Sequence, residues 1–160
     1  MRYLVTIILA VLLLTSTASG KPSRATCPEV SDFECLVDNS LRLYSEDFAQ
    51  WWEIYHLAAA KAKKCMEVGR FLRLWLGNTD GEMAQSLSSD TTEILVTNAN
   101  CFFEALFTLP EKERADIVDR YCPIQAPGPI LSALREATAN PRFEPSAQKL
   151  IDRVENKECI

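Results

Sequence analysis

Glu53-Ile54-Tyr55-His56 places a carboxylate and an imidazole three residues apart, the spacing by which di-iron bundles present two ligands on one helix face. That chemistry needs a second such pair. His56 is the only histidine, so the second pair cannot come from the same subunit. Multi-histidine zinc or copper sites and metalloprotease patterns with two histidines on one helix are excluded on the same ground. A Ser–His–Asp arrangement needs only one histidine, but the chain has no Gly-x-Ser-x-Gly elbow, which is a strand-to-helix turn foreign to a helical protein. Asn78-Thr79-Asp80-Gly81 resembles part of a calcium loop. With Gly81 in the sixth position, however, the first and twelfth would be Leu76 and Leu87, which cannot ligate calcium. Acids are plentiful, yet no spacing singles out an acid–base pair. The expectation is a protein without catalytic residues, metal or other cofactor.

The thiols point elsewhere. Cys27, Cys35, Cys65, Cys101, Cys122 and Cys159 are separated by 7, 29, 35, 20 and 36 residues, with none of the close pairs that zinc sites use. An even count at such intervals reads as three disulfides, hence an oxidising compartment. The N-terminus agrees: Arg2, the apolar run Tyr3 to Leu14, and the small residues Thr15 to Gly20 form a secretory signal cut after Gly20. That run is shorter than the roughly 20 residues needed to span a bilayer, and nothing similar follows. The expectation is therefore a secreted, extracellular chain: signal peptide 1–20, then one domain, 21–160, without a membrane span. Without Arg2, 16 bases face 22 acids, a net of −6, which does not attract nucleic acid or anionic lipid in bulk.

Apolar residues recur at three- and four-residue steps along the mature chain, the period of a helix face. The fold expected is all-α, a single disulfide-stapled bundle of about five or six helices. The first starts at Pro28 and faces the core with Val30, Phe33, Val37, Leu41 and Tyr44. Ser45-Glu46-Asp47 resets the chain, and one long helix then runs to Leu76, with Gly69 as its weak point. Residues 77–89 read as a loop holding at most a turn around Met83. Asp90 and Glu93 cap a helix reaching Leu109, and Pro110-Glu111 opens another with Ile117, Val118 and Tyr121. Pro123 to Pro129 reads as extended linker, followed by helices over about 129–139 and 145–157.

Lys61, Lys63, Lys64, Arg70 and Arg73 gather late in the long helix against Glu67 alone. They either complement the helix dipole or form a phosphate or heparin site, and the first is preferred. Aromatic residues are concentrated too. Trp51, Trp52, Tyr55 and Trp75 fall on the long helix, and Phe102 and Phe103 on the next; these six are the candidate binding residues. Adjacent aromatics cannot point the same way on a helix. One of each pair must pack on a second layer, line an apolar cavity or form an exposed patch.

A signal, six cysteines and helices resemble the plan of arthropod odorant-binding proteins, but those place their second and third cysteines three residues apart, whereas 29 residues separate Cys35 from Cys65. Tick microplusin-type peptides are similar in plan but rich in histidine. Neither family is assigned. The expected function is non-enzymatic binding of an extracellular protein partner; the alternative is a carrier holding a small apolar ligand, such as a lipid, between the helices. For the disulfides, antiparallel helices meeting at residues 77–89 put Cys65 and Cys101 each roughly 17 Å from the turn, so these two should pair. Cys27–Cys159 and Cys35–Cys122 then complete a nested set.

Overall fold

Asp47 makes the first corner: its carboxylate accepts a hydrogen bond from the Gln50 amide at 3.2 Å, capping a helix that would otherwise start with orphan N–H groups. The computed structural model describes residues 33–77, 81–123 and 126–156. The signal at 1–20, the helix start at Pro28, the Asn78–Asp80 segment, Cys27, Cys159 and position 157, the expected end of the last helix, lie outside the described residues.

Eight α-helices and no strand occur among the described residues: α1 (Phe33–Glu46), α2 (Phe48–Ala62), α3 (Val68–Leu72), α4 (Gly81–Thr97), α5 (Ala99–Phe107), α6 (Glu111–Arg120), α7 (Pro127–Ala137) and α8 (Glu144–Glu155). A 3-10 turn, Arg73–Leu76, extends α3. The all-α class holds, and the helix number exceeds the expected five or six for identifiable reasons. The long helix stops at Ala62 because Cys65 and Glu67 adopt left-handed backbone angles, φ 59° and 56°. Such angles are unfavourable for residues with a Cβ, and here two helix ends and a disulfide enforce them. The helix expected over 91–109 is broken at Asn98, whose side chain accepts from the Cys101 amide at 3.0 Å and caps α5.

Two further expectations are corrected. Helix α4 begins at Gly81 rather than Asp90, because Met83, Leu87, Thr91 and Ile94 continue one buried stripe through a sequence that looks polar. Pro127 starts α7 instead of ending a linker, since a first-turn proline lacks only an N–H that has no helical partner anyway. Gly69, expected as a weak point, sits inside α3. A Cβ there would lie 3.2 Å from the Ala105 carbonyl oxygen of α5, so glycine permits the close crossing.

Helix α5 is the hub, packing on α3, α4, α6 and α7. Helix α1 pairs with α2, α7 with α8, and α6 with α8 and the 3-10 turn. The fully buried residues of α1 are Leu36, Ser40 and Leu43; the expected Val37 and Tyr44 pack partly buried against the core, and the expected Leu41 is exposed. A kink at Asn39, φ −121°, rotates the helix, and its Nδ2 donates to the Cys35 carbonyl at 3.1 Å. Two arginines tie the helix ends. Arg120 donates to the Trp75 and Gly77 carbonyls at 3.1 and 3.0 Å, and Arg153 to the Val118 and Tyr121 carbonyls at 2.6 and 3.1 Å, satisfying groups that helices leave unpaired.

The expected Cys65–Cys101 bridge is present, with Cα atoms 5.9 Å apart. Its setting differs from the expected one: Cys65 lies in the turn after α2 and Cys101 in the first turn of α5, not at facing points of two long antiparallel helices. Cys35 and Cys122 are disulfide-bonded too. Cys65–Cys101 is a bridge with both sulfurs among the described residues.

Candidate functional site

Of the six candidate residues, five are core. Trp51, Tyr55, Trp75, Phe102 and Phe103 are buried, and Trp52 is partly exposed. The polar ends of the buried ones are satisfied inside the protein. The Trp51 indole donates to Ser40 Oγ at 3.0 Å and that of Trp75 to Thr91 Oγ1 at 3.1 Å. Tyr55 donates its hydroxyl to Asp90 Oδ2 at 2.7 Å. Apolar periodicity does not reveal these acceptors, because it counts Ser40 and Thr91 as polar and assigns them to the surface. Burial, then the hydrogen bond and negative charge of Asp90, hold the Tyr55 phenol far above its ordinary pKa. Burial does the same to Tyr121, against the hydrogen bond with Thr92.

The adjacent aromatics resolve differently at their two places. Phe102 and Phe103 meet edge to face at 5.1 Å, and both are enclosed because α5 is covered on several sides, with Phe103 stacking on Phe143 at 5.5 Å. Trp51 and Trp52 stack at 5.5 Å, but only Trp51 enters the core. Trp52 continues outward into a stripe, stacked on Phe48 at 5.7 Å and meeting His56 edge-on at 4.3 Å.

That stripe borders a larger surface. At about 100° per residue, Phe48, Ala49, Trp52, Glu53, His56, Leu57 and Ala60 fall within one half of the α2 circumference. All are exposed except Trp52, which is partly so; of the residues in that half only Ala59 is buried. Phe48 and Leu57 keep 45% and 48% of their surface open. A helix in water ordinarily shows a polar outer face. Here the outer face carries one acid, one imidazole and no lysine or arginine. Ala49, Leu57 and Ala60 are not among the residues expected from the sequence; the available signal is that α2 is apolar around most of its circumference.

Four of the five bases of the basic segment are ion-paired, and the exposed Lys64 has no ion pair among the described residues. Lys63 contacts Asp90 at 2.8 Å and Glu93 at 2.7 Å, Lys61 contacts Glu67 at 3.3 Å, Arg70 contacts Glu67 at 3.7 Å, and Arg73 contacts Glu113 at 3.5 Å. Partial burial lowers the pKa of Lys63, but its hydrogen bonds to Asp90 and Glu93 outweigh this and the net shift is upward.

Two recesses are open clefts with polar rims: about 360 Å³ between Asn98 and Glu136, and about 240 Å³ beside Asp38 and Arg42 at the α1 kink. No group of three or more metal-ligating side chains occurs among the described residues. None of their helices is long and apolar enough to cross a membrane. Comparison with protein families, curated proteins and solved structures gives no significant match.

Proposed function

We propose that this is a secreted, non-enzymatic binding module that recognises an extracellular protein through the outer face of α2. The observation carrying the reading is the uncovered apolar surface around Phe48, Trp52 and Leu57 on a helix whose other side is fully used by the core. Large exposed apolar patches on soluble domains mark interaction sites, and aromatic side chains provide most of their contact energy. A disulfide and the lack of a long apolar helix among the described residues are compatible with an extracellular setting. Catalysis is not favoured, because the buried polar groups of the core pair with one another instead of converging on a cleft. The test is affinity capture from extracellular fluid with the mature chain and with its Leu57→Glu variant, followed by mass spectrometry of bound proteins and lipids. A protein retained by the wild type and lost with the variant is expected; capture of lipid alone, or capture indifferent to Leu57, would overturn the proposal.

A further inference from the structure

We infer that the protein seated on the outer face of α2 is a second copy of the same chain, docked with its own α2 antiparallel. This rests on the reading of α2 as a protein-binding face and names the partner. The argument is self-complementarity. A two-fold axis passing α2 between Ile54 and Tyr55 pairs Ala49 with Ala60 and Glu53 with His56 of the second copy, each contact made twice, and on the two flanks sets Trp52 beside Trp52 and Leu57 beside Leu57.

These contacts differ in kind and all match. Two alanines face each other at both ends, which lets the helices approach near the short end of the usual 8–10 Å separation. Leu57, exposed in one chain, and the partly exposed Trp52 are each covered by their own counterpart in the second copy. Near the axis the His56 imidazole can donate an N–H to the Glu53 carboxylate, joining the only two polar side chains of the seven on this face. A parallel two-fold pairing would instead set Glu53 against Glu53, and like charges in contact oppose association. A lipid surface is a poorer occupant, since interfacial helices carry lysine and arginine beside their apolar residues and this face has neither.

One helix face makes an interface at the small end of specific sizes, so the dimer should be weak and dissociate on dilution. Sedimentation equilibrium of the mature, oxidised chain from about 5 µM to 1 mM tests this. The weight-average mass should climb from the monomer toward twice that value. Glu53→Lys and His56→Glu, each alone, should weaken association about tenfold or more, and the double variant should recover it because every lysine again meets a glutamate. Both positions are exposed, and circular dichroism of each variant checks that the fold is kept. A constant monomer mass, or a double variant no better than the single ones, would overturn the inference. If the chain stays monomeric while Leu57→Glu abolishes capture of a different protein, the inference fails and the proposed function stands. Should a monomeric chain show a Trp52-dependent emission shift with phosphatidylcholine vesicles, lipid would replace the second copy, and both readings would fall.

Discussion

Phe103 stacks on Phe143 at 5.5 Å and is wholly buried, whereas Phe48 stacks on Trp52 at 5.7 Å and keeps 45% of its surface in water. The ring contacts are nearly the same; what differs is whether another helix returns across them. Helix α7 crosses α5, and Phe143 arrives at the start of α8, while Arg114 and Arg142 lie over Phe107 at 4.3 and 5.3 Å and seal the edge. Helix α2 packs on α1 and α3, and most of its outer half is exposed, with no other described helix crossing it. An aromatic cluster is therefore core or surface according to chain topology, not composition.

The contrast sets an order of mutational costs. Phe103→Ala empties a buried site and should cost about 3–5 kcal/mol in denaturant-induced unfolding, against under about 1 kcal/mol for Phe48→Ala. Equal losses at the two positions would break the comparison. Replacing both Cys65 and Cys101 by serine frees a loop with a sequence separation of 36, and should remove about 3–4 kcal/mol by the same measurement. Gly69→Ala opposes helix preference to crowding: alanine favours the helix by about 1 kcal/mol, but its Cβ would press on Ala105 and Thr108. Overpacking of this kind costs about 1–3 kcal/mol, so a net loss near 1 kcal/mol is expected. A stabilised Gly69→Ala variant would mean that α3 and α5 can move apart.

The smallest predicted effect is pH dependence. The phenols of Tyr55 and Tyr121 are held above their unfolded value near 10, so the folded state keeps protons that the unfolded chain releases. Their contribution is complete below about pH 10 and declines as pH rises beyond it; the raised Lys63 acts in the same direction. Unfolding followed from pH 8 to 11 should show stability falling above about pH 10, less steeply in Tyr55→Phe. That variant should also lose about 1 kcal/mol at neutral pH with the Asp90 hydrogen bond.

The helical class, the Asp47 cap and the Cys65–Cys101 bridge were legible in the sequence because each rests on local spacing. The bridge emerged from a helix registration that the fold does not have; its two cysteines meet because the Cys65–Glu67 turn brings the end of α2 to the start of α5. Two elements were obscured by polar residues with internal work. Ser88 donates to the Cys122 carbonyl, Thr92 bonds the Ser88 carbonyl and Tyr121, and Thr91 receives the Trp75 indole, so α4 begins in what reads as a loop. Likewise Ser40 turns α1 toward Trp51. At the candidate site, Trp52 was legible as an aromatic in excess of the core, but its companions Ala49, Leu57 and Ala60 resemble core residues in sequence. Only the missing neighbour distinguishes them.

If the buried aromatics fill the core and the open ones serve protein contact, no apolar ligand enters between the helices. Titrating the mature chain with a fluorescent fatty acid while following tryptophan emission tests it most directly, since Trp51 and Trp75 are buried and would report any ligand entering between the helices. No saturable change is expected at micromolar concentration. Saturable one-to-one quenching there would contradict it and make the protein a carrier.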